Sequence, residues 1–308
     1  MVQRTYGWIK NKVDQRDKKV RFTDNHIKLF ATNKNLEKVN DVFDLRTIVK
    51  IPSCLDEIDQ FSLGACTSNS IAFAYAFDEI KQGNKEVFMP SRLFIYYNER
   101  MMEGTVHTDS GAEIRDGIKS LNKYGVCDEH HWVYDPKQFS VKPPQKVYDE
   151  AKLCKAVVYA AIDFSQDKTD QDRVEHLKKA LQSGFPFVFG FKVYESFESA
   201  EVAKTGMMPM PKPDEKLLGG HAVCAIGFDD SKQCFIIKNS WGANWGCHGY
   251  FYMPYKFISD TNSAEDFWVI QQVTDPDNIP NFDQNDITPD AQNLNVTPSS
   301  WSSSCILV

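Results

Sequence analysis

Three residue types far apart in this chain could share one reaction: the thiol of Cys66, the imidazole of His221 and the side-chain amide of Asn239. A free thiol is mostly protonated at neutral pH, so a nucleophilic cysteine needs a neighbour that takes its proton. A histidine brought beside it can do so, leaving a thiolate that faces an imidazolium. A third group must then hold the ring, and a side-chain amide oxygen can accept the other ring N–H, the Cys-His-Asn form of a catalytic triad. Gln60 stands six residues before Cys66. From there its side-chain N–H can join the Cys66 backbone N–H in binding the oxyanion of an attacked carbonyl. The apolar spacing of Ile71, Ala74, Tyr75, Phe77 and Ile80, with a stop at Gln82–Gly83–Asn84, predicts a helix over 66–81. It begins at the thiol, where unpaired N–H groups and the positive dipole end favour a thiolate.

Each piece alone has a plainer reading. A lone cysteine is usually a small buried hydrophobe, a histidine before the apolar run 222–226 can be a core residue, and an asparagine after a strand can be a turn residue. In order, however, Gln60–Phe61–Ser62–Leu63–Gly64–Ala65–Cys66, His221–Ala222–Val223, Asn239–Ser240–Trp241–Gly242 and Trp245–Gly246 resemble the papain-like cysteine peptidases. The resemblance covers about residues 44 to 273, and the run around Cys66 is closest in style to bacterial and viral cathepsin-like members.

The resemblance implies an α+β, two-lobed fold. A helical lobe would carry Cys66, a β-barrel-like lobe His221 and Asn239, and the cleft would run between them. It implies a thiol endopeptidase that hydrolyses peptide bonds through a Cys66 thioester, with peptides or proteins as substrates and no metal or organic cofactor. Trp241 would cover the Asn239–His221 bond, and Gly111 would pair with an extended peptide. Ala222 and side chains near 268–270 would line the pocket for the residue two before the cut bond, read as taking apolar side chains. Two departures stand out: Thr67 follows the cysteine where Trp is frequent, and Leu63 stands where many secreted members have a disulfide cysteine. The alternatives are a catalytically silent binding protein of the same fold, or an acyl transferase using the same groups. An oxyanion donor at Gln60 favours chemistry over a silent scaffold.

The 308 residues divide into four stretches: an N-terminal segment 1–43, a helical lobe 44–150, a β-rich lobe 151–273 and a polar tail 274–308. Further helices are expected over 90–102, 112–123 and 174–183, and strands over 156–162, 187–192, 221–228, 234–238, 250–253 and 267–273. The N-terminal segment has two readings. With Tyr6, Trp8, Ile9, Phe22, Ile27, Leu29 and Phe30 it could lie in the cleft as an autoinhibitory segment, as in a zymogen, or pack on the back of a lobe as an arm. The tail reads as disordered from its composition. It ends in Cys305–Ile306–Leu307–Val308, the C-a-a-X shape of a prenylation signal and lipid anchor, although Val is not a usual last residue and no basic cluster precedes it. A frayed terminus is the alternative. Asn295–Val296–Thr297 matches a glycosylation acceptor and is discounted for want of a secretory signal.

A net charge of −7 with no basic stripe argues against nucleic-acid binding. No run of about 18 apolar residues predicts a transmembrane span. Eight cysteines are too few for a disulfide scaffold. With no secretory signal at Met1–Lys12, an intracellular setting is expected, cytoplasmic or carried in a viral particle. Cys127 with His130–His131 has poor spacing for zinc, so no metal site is expected.

Overall fold

The computed structural model describes residues 4–32, 41–84 and 87–274. The N-terminal segment holds β1 (Trp8–Ile9), β2 (Lys19–Val20), α1 (Asp24–Thr32) and β3 (Val42–Asp44). Then come α2 (Ser53–Asp56), α3 (Cys66–Gln82), α4 (Arg92–Glu103), β4 (Ala112–Glu113), α5 (Ile114–Tyr124) and α6 (Gln145–Ala151). The second half holds β5 (Ala156–Ile162), α7 (Asp170–Gln182), β6 (Phe187–Tyr194), α8 (Ala200–Thr205), β7 (Leu217–Asp229), β8 (Cys234–Lys238), β9 (Tyr250–Pro254), α9 (Tyr255–Ser259) and β10 (Ala264–Val273). The tail with Asn295 and Cys305 lies outside the described residues. Among the described residues no helix is long and apolar enough to cross a membrane.

Eight of these strands form one sheet in the order β2-β5-β10-β6-β7-β8-β9, with β3 added on β7, and β1 and β4 form a separate two-stranded one. Every pairing in the larger sheet is antiparallel except β2 on β5. The central helix α3 packs against β7 and β10 as well as α4 and α5, so it touches both halves of the molecule. It is buried from Cys66 through Glu79. That explains its weak amphipathic pattern, since every face meets protein. Two of its polar side chains bond back to its start: Ser68 Oγ and Asn69 Nδ2 both donate to Ala65 O. Gly83 ends it in the left-handed region at φ 79°, its N–H returning to the last turn.

The N-terminal segment divides into two parts with different surroundings. Residues 19–32 belong to the body. Lys19 and Val20 pair with Ala161 and Ile162 of β5, and Val20 and Phe22 join the main hydrophobic core. Residues 4–11 instead run along the contact between the helices and the sheet, where β1 pairs in parallel with β4.

The part built into the body is held by a buried imidazole. His176 on α7 accepts the Phe22 backbone N–H at Nε2, 3.0 Å, while Nδ1 faces Asp167 Oδ2 at 3.0 Å. With Nε2 accepting, the ring is neutral and Nδ1 donates. Burial holds the His176 pKa below the ordinary imidazole range, opposed by Asp167 and Asp163 and assisted by Arg21. Folding therefore disfavours the proton, and the stability from this contact is complete above about pH 6.5 and declines as pH falls below it. Glutamine can accept from Phe22 and donate to Asp167 without titrating. The expected result is that His176→Gln folds normally and flattens the fall in melting temperature between pH 7 and pH 5, measured by thermal denaturation. An unchanged slope would remove His176 from the cause.

Candidate active site

The site forms where the start of α3 meets β7. Cys66 is the first residue of α3, after Ala65, which offers no side-chain cap, so the helix N–H groups remain available around the sulfur. Cys66 is fully buried. His221 lies within β7, opposite Phe191 of β6, and is also fully buried. Asn239 follows the last residue of β8. Its Oδ1 accepts from His221 Nε2 at 2.8 Å, which leaves Nδ1 as the unprotonated nitrogen, buried and without a hydrogen-bond partner. The Trp241 ring lies 5.1 Å from the His221 ring, centroid to centroid, at 31°.

Gln60 is buried and held from both ends. Its Oε1 accepts from Ser240 Oγ at 2.6 Å, and Nε2 donates to Leu63 O at 2.9 Å and to Thr5 O at 3.1 Å. The carbonyl of Thr5 thus occupies the side-chain N–H that the sequence leads one to expect at a substrate oxyanion. Around it the N-terminal segment fills the cleft. Tyr6 meets the His221 ring edge-on at 6.2 Å, and its Oη donates to Glu198. Gly7 O accepts from Ala112 N at 2.8 Å. Gly111, at φ 73°, faces Gly7 so closely that a Cβ there would lie 2.1 Å from Gly7 O. The Gly111 N–H itself goes to Tyr96 Oη at 3.2 Å, so Ala112 rather than Gly111 donates to the bound segment. Ala222 is fully buried beside the thiol, and its carbonyl accepts from Ser70 Oγ at 2.9 Å.

The electrostatics are those of a closed site. Burial pushes the Cys66 thiol up to about 12, against the pull of the Ala222, Gly7 and Thr67 backbone N–H groups. Burial likewise pushes His221 down to about 4, opposed by its bond to Asn239 and assisted by the Arg4 charge. Both groups are therefore neutral with the segment in place. Water entering the cleft removes the dominant cause of both shifts and brings the ion pair within reach.

Sequence reasoning missed Ser240, which aims Gln60, and Asp266. The Trp8 indole lies on Gly190 and Gly220, where a Cβ would come within 1.9 and 2.7 Å of it, and Nε1 donates to Asp266 Oδ2 at 3.0 Å. The pocket beside Ala222 therefore has an acid in its wall, not only the apolar side chains expected near 268–270. Asp266 has φ 58° and sits where the β10–β6 register shifts between Glu265 and Trp268. Strand alternation across a bulge cannot be read from sequence. Burial raises the Asp266 pKa to about 6. His130 and His131 are exposed and contact Asp128 and Glu150. Among the described residues no group of His, Cys, Asp or Glu is placed to hold a metal.

A buried Cys-His-Asn set at a helix start, between a helical layer and an antiparallel sheet, defines the thiol peptidase class, and this chain belongs to the papain family of cysteine proteases. The family model matches residues 103–267. An uncharacterised peptidase C1-like protein of Acanthamoeba polyphaga mimivirus is 59% identical over 301 residues, 97% of this chain and 96% of that one. The crystal structure of xylellain, a cysteine protease from Xylella fastidiosa, is 40% identical with a TM-score of 0.73, covering 86% of this chain and 95% of its own. A procathepsin B of Trypanosoma congolense shares the fold at 17% identity, with a TM-score of 0.63 over 88% of this chain and 86% of its own. The protein is a papain-family cysteine peptidase of α+β architecture, acting on peptide or protein substrates.

Proposed function

We propose that residues 4–11 hold this peptidase inactive by lying in its cleft, and that Cys66, His221, Asn239 and Gln60 carry the chemistry once they leave. The observation that carries this reading is the Thr5 carbonyl on Gln60 Nε2, with Tyr6 against His221. A substrate carbonyl cannot reach that donor while Thr5 occupies it. Because the segment is tethered, its effective concentration at the cleft is high, and external peptide competes poorly.

In the open state the Cys66 proton passes to His221 Nδ1, the nitrogen left free by the bond to Asn239. The thiolate attacks the peptide carbonyl carbon, and the oxygen takes the negative charge at Gln60 Nε2 and the Cys66 N–H. His221 returns the proton to the leaving amine as the C–N bond breaks. Water, deprotonated by His221, then attacks the thioester carbonyl, and the thiol is regenerated. The seven cysteines among the described residues are all free, which supports a reducing, intracellular setting.

The test is labelling of Cys66 by a thiol-directed probe in the full chain and in a chain carrying Tyr6→Ala and Trp8→Ala. Loss of the Trp8 burial alone weakens docking by about 2 kcal/mol, roughly thirtyfold in the open fraction. Equal labelling rates would reject the blocking role.

A further inference from the structure

Every second side chain of the docked segment ends on a carboxylate of the body. Arg4 Nη1 donates to Asp59 Oδ1 at 2.7 Å, Tyr6 Oη to Glu198, Trp8 Nε1 to Asp266 Oδ2 at 3.0 Å and Lys10 Nζ to Glu265 Oε1 at 2.6 Å. The period of two is that of an extended chain. Among the described residues, none of these four carboxylates forms an ion pair with a lysine or arginine outside the segment. Glu113 differs, being paired with Arg115. Departure of the segment leaves four acidic groups along the cleft with no cation of the body bound to them. The fully buried His221 Nδ1, unpartnered, lies in the same cleft.

Two of the four sit in built subsites. At Asp59 the guanidinium of Arg4 also reaches Trp241 O at 3.3 Å and Phe61 O at 3.4 Å, and lies 5.4 Å over the Trp241 ring. A carboxylate, two carbonyls and an aromatic face are the complement of a planar cation with several N–H donors. At Asp266 the acid closes a slot walled by Gly190 and Gly220, and both hydrogen bonds it accepts come from the segment, from Trp8 and from the Asn11 N–H at 2.7 Å. A lysine or arginine stem can fill the space of the indole and bring a charged donor to the same oxygen.

We infer that the opened cleft selects peptides with lysine or arginine on alternate positions around the cut bond, with Asp59 and Asp266 as the specificity-determining carboxylates. This deepens the reading that residues 4–11 block the cleft and rests on it. Low-dielectric walls around like charges focus the field on an incoming cation, so salt should weaken the preference.

The experiment measures kcat/KM of the full chain on three peptide sets of equal length, with lysine or arginine, leucine, or glutamate placed in turn at each position around the cut bond. The fraction of open enzyme multiplies every value alike and cancels in the ratios. The expected ratio of basic to leucine peptides at the best positions is about tenfold, with a larger gap to glutamate. Asp59→Asn and Asp266→Asn should each reduce it several-fold, at different peptide positions, and 0.5 M salt should do the same. Ratios near one, a preference for leucine, or a basic preference that survives both substitutions would overturn the inference. The blocking reading fails separately, if Tyr6→Ala with Trp8→Ala leaves all rates unchanged while the ratios stay readable.

Discussion

Cys66→Ala, placed in a chain opened by Tyr6→Ala and Trp8→Ala, is expected to lose peptide cleavage by at least about a thousandfold while keeping its fold. The loss is large because, among the described residues, no other thiol meets the same surroundings. Cys54 is exposed, Cys127, Cys224 and Cys234 are buried, and among the described residues only Cys66 both starts α3 and lies by the Ala222 N–H next to the histidine. The fold survives because alanine keeps the helix propensity and removes a single atom, a small cavity set against the packing of the whole helix. Steady-state hydrolysis of a peptide mixture, with circular dichroism as the control for folding, checks it. Retained cleavage in the folded alanine variant would remove Cys66 from the nucleophile role.

The thiol, the imidazole, the amide and Gln60 could be named from sequence because chemistry restricts the residue types and the motifs around them are short. The structure adds what the motifs leave open: Nε2 of His221 bonded to Asn239, and Ser240 fixing the rotamer of Gln60. Strands 156–162 and 234–238 match their expected limits because each is a short apolar run closed by turns. Where a partner distant in sequence decides the conformation, local pattern failed. Residues 112 and 113 read as the start of a helix, yet they form β4, because the arriving strand β1 takes the Ala112 N–H. The two-residue strands β1 and β2 carry no periodicity of their own and exist only through their partners. Asp266 was hidden for a related reason: a bulge turns its side chain out of the alternation that the flanking apolar residues keep.

The division of the N-terminal segment into a cleft-lying part and a core-forming part sets the most consequential choice of cut. A chain starting at Lys12 loses the residues that touch Gln60, His221, Asp266 and Gly111, and keeps β2, Phe22 and α1. It is expected to fold and to cleave peptides one hundred times faster or more, since a docked segment held by even about 3 kcal/mol leaves less than one per cent of the enzyme open. A chain starting at Val42 looks like the cleaner removal and should fail. It strips β2 from β5, takes Val20 and Phe22 from the main core and uncovers Gly184, over which the Phe30 ring lies. Deleting a buried phenylalanine alone costs about 3–5 kcal/mol, a large share of the 5–15 kcal/mol that holds a domain together. The expected outcome is therefore an active, cooperative unfolder from residue 12 and an aggregating or partly unfolded chain from residue 42, compared by thermal unfolding and by thiol labelling. If the residue-42 chain melted as sharply as the full protein and matched the activity of the residue-12 chain, residues 19–32 would be an appendage and not part of the core.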